Sequence, residues 1–118
     1  MAKVLIRDAA NARRDEVSFT FDWSESRIVL ASTLIEERVR AEADKIACGA
    51  APSRLYAELR DGLDTLVDEI AARAVKAFAR GAFFLIVNDR QVTDPQERID
   101  LSTTTEVVFL KLVPLRGG

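Results

Sequence analysis

The chain has 118 residues, of which 48% are hydrophobic and 31% charged, with 19 acidic against 17 basic side chains and a net charge of −2. That length supports one hydrophobic core, and the composition is too apolar for a chain that stays disordered. No concentrated run of basic residues is present to make nucleic acid the main partner. With no histidine and a single cysteine, Cys48, zinc chemistry and histidine-dependent nucleophilic catalysis have no candidates. No internal disulfide can form either, so a reducing, cytoplasmic setting is expected.

The first apolar run, Val4, Leu5 and Ile6, is bounded by charge and followed over residues 9–15 by a small, polar stretch, which reads as a strand and a loop. The adjacent pair Arg13-Arg14 is expected to be solvated in that turn. Val17, Phe19 and Phe21 then alternate with Ser18, Thr20 and Asp22, the period-two pattern of a half-buried strand. The two strands are expected to form a hairpin. Neither the N-terminus nor the longest apolar run, residues 82–87, approaches the roughly 20 residues that span a bilayer, so no signal peptide or membrane segment is expected.

After Trp23-Ser24-Glu25-Ser26, the positions Leu30, Leu34, Ile35, Arg38, Val39, Glu42 and Ile46 recur at helical spacing, predicting an amphipathic helix over 30–47 that ends near Gly49 and Pro52. Ser53 is a candidate N-cap for a second helical region. Its stripe runs through Leu55, Leu59, Leu63, Leu66, Ile70, Ala74 and Phe78, widened by Val67, Ala71 and Val75. Gly62 allows either one kinked helix or two, the second starting near Asp64 or Thr65 and stopping at Gly81.

The last third is β in character. Residues 83–87 predict a strand, Asn88-Asp89-Arg90 a tight turn, and Gln91-Val92 a short return strand. Loops are expected around an isolated apolar pair, Ile99 and Leu101. Residues 107–113 form the final strand, where Lys111 on the odd phase suggests that Val108, Leu110 and Leu112 face the core. Val107 and Phe109 are then candidate partner-facing residues, unless the helical segment over 49–81 covers the second sheet face and makes Phe109 a core residue. The apolar stripe of that segment must be buried within this chain or on another, so self-association through it is a further expectation.

The sequence closes with Leu115, Arg116, Gly117 and Gly118. At average glycine frequency two terminal glycines arise by chance in roughly one chain in 200. Two residues without side chains let an extended backbone thread a narrow channel and bring a carboxylate to a phosphate or nucleophile without steric clash. Arg116 offers a fixed charge and a bidentate fork, and Leu115 an apolar anchor. The bland alternative is a frayed chain end.

The order of elements and this ending resemble ubiquitin and its β-grasp relatives. The segments 83–92, FFLIVNDRQV, and 107–115, VVFLKLVPL, are most similar to bacterial ubiquitin-like proteins encoded beside their own activating enzymes and peptidases. The resemblance implies an α+β fold: a ubiquitin-like β-grasp domain over 1–113, a mixed sheet with a helix across one face. It carries a helical insertion at about 49–81, between the main helix and the third strand, and a flexible conjugation tail over 114–118. It also implies that Gly118 would be adenylated by an activating enzyme using ATP and magnesium. A conjugating enzyme would then pass it to a target protein through an isopeptide bond, with a peptidase as a further partner. The chain would carry no catalytic residue, metal or cofactor of its own. A sulfur carrier, in which the same glycine becomes a thiocarboxylate, and a non-conjugated assembly domain are the competing readings. Lys3, Lys45, Lys76 and Lys111 are the only side-chain amines that could accept a second copy.

Overall fold

The computed structural model describes residues 2–10, 13–23, 28–61, 66–104 and 106–111, with the backbone alone for 2, 3, 10 and 13–23. The elements follow one another as β1 (Ala2–Ala10), β2 (Arg13–Trp23), β3 (Ile28–Leu30), α1 (Ala31–Ala47), α2 (Arg54–Arg60) and α3 (Val67–Ala79). Then come β4 (Phe83–Val87), β5 (Arg90–Val92), β6 (Arg98–Asp100) and β7 (Glu106–Lys111). The fold is α+β. Five strands form a mixed sheet in the order β2-β1-β7-β4-β5, and β3 and β6 form a separate two-stranded sheet.

Strand β1 lies antiparallel to β2 and parallel to β7, which in turn runs antiparallel to β4. The β1–β2 hairpin is longer than alternation alone suggested. Ala9 pairs with Arg14 and Ala10 with Arg13, so the expected loop over 9–15 is mostly ladder and the arginine pair belongs to a strand. Small residues such as Ala9 and Ala10 carry weak strand propensity, and here the neighbouring strands override it.

All three helices pack on one face of the sheet. Phe78 of α3 meets Phe83 of β4 with ring centroids 5.5 Å apart, Phe83 stacks on Phe109 of β7 at 5.9 Å, and the Arg38 guanidinium of α1 sits 4.6 Å from the Phe109 centroid. That face also carries Val4, Ile6, Leu85, Val87, Val92 and Val107, all in one buried cluster with Leu34, Ile35, Val39, Leu55, Tyr56, Leu59 and Ile70. The expected phase of β7 is therefore reversed. Val107 and Phe109 meet the helices, while Val108, though also buried, lies outside this cluster on the opposite face. Nor do α2 and α3 cover the second face; they widen the helical layer on the first. Leu55, Leu59, Ile70, Ala71, Ala74 and Phe78 of their apolar stripe are buried within the chain, Leu66 is exposed, and Leu63 lies outside the described residues.

Two helices replace the ambiguous second helical region. Ser53 caps α2, its hydroxyl accepting from the Tyr56 N–H at 3.1 Å. α3 begins at Val67, later than expected, which leaves Leu66 exposed, and it closes through Gly81 at φ +83°, a left-handed conformation suited to glycine. The β4–β5 turn has both Asn88 (φ 48°) and Asp89 (φ 71°) in the left-handed region, the two-residue geometry whose twist matches a hairpin.

The small sheet was not anticipated. Leu30 ends β3 instead of opening the helix, and Val29 pairs with Ile99 in β6. Helix α1 has no side-chain N-cap, and carbonyls from the β5–β6 segment serve instead. Ala31 donates to Glu97 O at 2.8 Å and Ser32 to Pro95 O at 3.0 Å.

Candidate functional site

Leu115, Arg116, Gly117 and Gly118, with residues 112–114 before them, lie outside the described residues. What the structure describes is the root of that segment, the strand from which it departs. β7 is the central strand of the sheet, bonded on one side to β1 and on the other to β4, with Lys111 opposite Ala10 and Phe83. A strand paired on both edges is a rigid platform for whatever follows it.

Two polar contacts lock this platform to the helices. The first is buried. Arg38, 1% exposed, forks its Nη1 and Nη2 onto the two Asp8 carboxylate oxygens at 2.6 and 2.8 Å, reaches Glu42 Oε1 from Nη2 at 2.9 Å and from Nε at 3.2 Å, and donates to Ser53 Oγ at 3.1 Å. Glu42 Oε2 in turn accepts from the Ser53 backbone N–H at 2.6 Å. One guanidinium therefore joins β1, α1 and the start of α2 while covering Phe109 of β7. A charge this deep is tolerated only because its donors are matched by carboxylates. Burial by itself would lower the Arg38 pKa, but the hydrogen bond and charge of Asp8, followed by those of Glu42, outweigh it and raise the value above that of an ordinary arginine.

The second contact is at the strand's end, where Lys111 Nζ meets Glu58 Oε2 of α2 at 2.6 Å, both side chains about four-fifths buried. Helix α2 thus touches the strand root directly and, through Ser53, the Arg38 network. Its remaining face supplies Leu55, Tyr56 and Leu59 to the core, and burial raises the Tyr56 hydroxyl pKa, partly opposed by Arg60.

Val107 and Phe109 are 0% and 1% exposed. The expectation that they face a partner gives way: both are covered by this chain's own helices, because the odd phase of β7 points at α1 and α3. Of the candidate acceptor amines, Lys111 is held by Glu58, Lys45 and Lys76 lie on exposed positions of α1 and α3, and the Lys3 side chain is outside the described residues. Cys48 is exposed just beyond the C-terminus of α1.

Arg38 and Glu42 were visible in the sequence as charged residues inside an apolar stripe, four apart on one helix face. Asp8 and Glu58 were missed because their partners lie 30 and 53 residues away, and no local pattern encodes such a pairing. Among the described residues no group of three or more His, Cys, Asp or Glu is placed to hold a metal ion, and no helix is long and apolar enough to cross a membrane. No protein-family model, no curated protein and no solved structure matches the chain.

Proposed function

We propose that this chain is a ubiquitin-like protein modifier of the cytoplasm, built on a β-grasp fold and joined to target proteins through the carboxylate of Gly118. The observation that carries the reading is the parallel pairing of β1 with β7 at the centre of the β2-β1-β7-β4-β5 sheet, with helices across one face. That strand order matches the β-grasp arrangement, in which the last strand sits beside the first and leads directly into the tail. On this reading α1 is the main helix, and α2 with α3 is an insertion that enlarges the helical layer before the third strand of the core sheet.

The chemistry asks little of the chain beyond delivery. A free carboxylate is a poor acyl donor. Attack of a Gly118 carboxylate oxygen on the α-phosphate of ATP, with pyrophosphate leaving, gives an acyl-adenylate. A thiol or amine nucleophile then attacks the acyl carbon and AMP departs. Magnesium and ATP belong to the activating enzyme. The modifier supplies a narrow peptide without side chains at its last two positions, a clampable Arg116, and a rigid strand that presents them. Whether Gly118 is the encoded end or is exposed by a peptidase, the reacting group is the same.

ATP–pyrophosphate exchange with the cognate activating enzyme tests the reading. Exchange is expected with the intact chain and is lost when Gly117 and Gly118 are deleted; equal exchange by the truncated chain rejects it. Intact mass separates the sulfur-carrier alternative, since replacement of one carboxylate oxygen by sulfur adds about 16 Da at Gly118, whereas conjugation joins the whole chain to a second protein.

A further inference from the structure

Strand β4, FFLIV, is apolar at every position, the composition of a strand covered on both faces. One face is accounted for. Phe83, Leu85 and Val87 meet the helical layer, and Val29 of β3 and Ile99 of β6 belong to the same buried cluster. Among the described residues no helix or strand lies over the other face of the sheet. There the ladder sets Phe84 beside Leu110 and Ile86 beside Val108, and across β7 it sets Arg7 beside Val108 and Leu5 beside Glu106. Val108 is buried at the centre, with Leu5, Phe84, Ile86 and Leu110 half-buried around it. Arg7 and Glu106 pair at 2.6 Å on this same face, and each side chain stays about a quarter exposed.

We propose that this face binds a second copy of the chain, sheet against sheet, in a weak two-fold dimer in which Arg7 of each copy pairs with Glu106 of the other. Charge singles out the same chain as the occupant. Arg7 and Glu106 are opposite in sign and stand diagonally on adjacent strands, so a two-fold axis lying between the sheets and crossing the middle of the pair places each arginine over the opposite glutamate. With strands ~4.8 Å apart and a rise of ~3.3 Å per residue, that axis continues over Val108 and Ile86, which then meet their own counterparts as the inner faces of two packed sheets do. Area sets the strength. Strands β2, β1, β7 and β4 span roughly 20 by 20 Å, about 400 Å² on each copy and ~800 Å² in the pair. That is below the ~1,200 Å² of stable complexes, so the dimer is transient, with a Kd on the order of 100 µM. The inference goes beyond the modifier reading and does not depend on it.

Sedimentation equilibrium of the full chain from about 10 µM to about 1 mM is the test. The average mass is expected to rise from 13.1 kDa toward twice that value. Ile86→Lys puts a charge into the apolar contact and should weaken the Kd at least about tenfold. Charge reversal tests the pairing itself. Arg7→Glu alone and Glu106→Arg alone set like charges against each other across the axis, so each should stay monomeric at the highest concentration. Mixed in equal amounts, the two variants should form a heterodimer, because each then offers the other the opposite sign at both positions. A mixture that does not associate overturns the proposal, as does either variant dimerising alone with the wild-type Kd. A wild type that is monomeric throughout also overturns it and leaves the face to a different protein. A dimer unchanged by Ile86→Lys lies on another surface and overturns it too. Circular dichroism establishes that each variant is folded; should Ile86→Lys not fold, the mixture still decides.

Discussion

Replacing Arg38 by methionine removes the cation that joins Asp8 and Glu42 under the helical layer. Asp8 and Glu42 have side chains 14% and 5% exposed, so neither can recover full hydration, and they would face each other across the space left by the guanidinium. Breaking a buried pair by deleting one partner costs about 3–5 kcal/mol, at least about a fifth of the ~5–15 kcal/mol that holds a domain of this size together. At about 4 °C per kcal/mol for such a chain, the melting temperature should fall by roughly 12–20 °C. Urea and thermal denaturation followed by circular dichroism measure both quantities. A variant that neutralises all three groups, Arg38→Met with Asp8→Asn and Glu42→Gln, should be more stable than the single substitution. A loss below about 1 kcal/mol for Arg38→Met would refute the account of a dehydrated ion cluster.

Three other outcomes follow from the geometry. Phe109→Ala should cost about 3–5 kcal/mol in denaturant unfolding, since the ring contacts Phe83 and Arg38 and is 1% exposed; a surface-like loss below 1 kcal/mol would return Phe109 to the partner-facing role. Asn88→Gly keeps the left-handed turn but loses the side-chain bonds to Thr103 O (2.9 Å) and from Glu106 N (3.1 Å). About 1–2 kcal/mol should be lost, with faster amide exchange at Glu106. Ser102→Ala removes the hydroxyl that, with the Ser102 backbone N–H, holds Asp100 below its usual pKa. Its titration by NMR should move up toward the ordinary carboxylate value. In the wild type the stabilisation from Asp100 is present above that ordinary value and lost as pH falls through the lowered one.

How much of this architecture could be read from the sequence depended on how local its cause was. Alternation in 17–21, the 3.6-residue stripe of α1 and the apolar run 83–87 are local signals, and α1 and β4 occur almost where those signals place them. The Asn88-Asp89 turn is likewise a two-residue preference. What failed was anything decided across the chain. The facing of β7 turned on Lys111, read as a solvent marker because a lone lysine in a strand usually points to water; here Glu58 draws it to the helical side. The β3–β6 pair was invisible because three-residue strands carry no periodicity, and the cap of α1 was hidden because it is made of carbonyls some 65 residues downstream. For the tail, by contrast, the argument rests on the sequence alone, because residues 112–118 lie outside the described residues.

The pairing of β1 with β7 also sets a constraint on how the molecule comes into being. Arg7 and Glu106, which join the two strands by a 2.6 Å ion pair, stand 99 residues apart in sequence, so the first strand made must wait for the last before its inner edge is satisfied. Closing so long a loop late is slow. During synthesis the β1–β2 hairpin and the helices can gather, but one edge of β1 stays open until β7 emerges. A product cut short before residue 106 would keep that raw edge, vulnerable to degradation or aggregation.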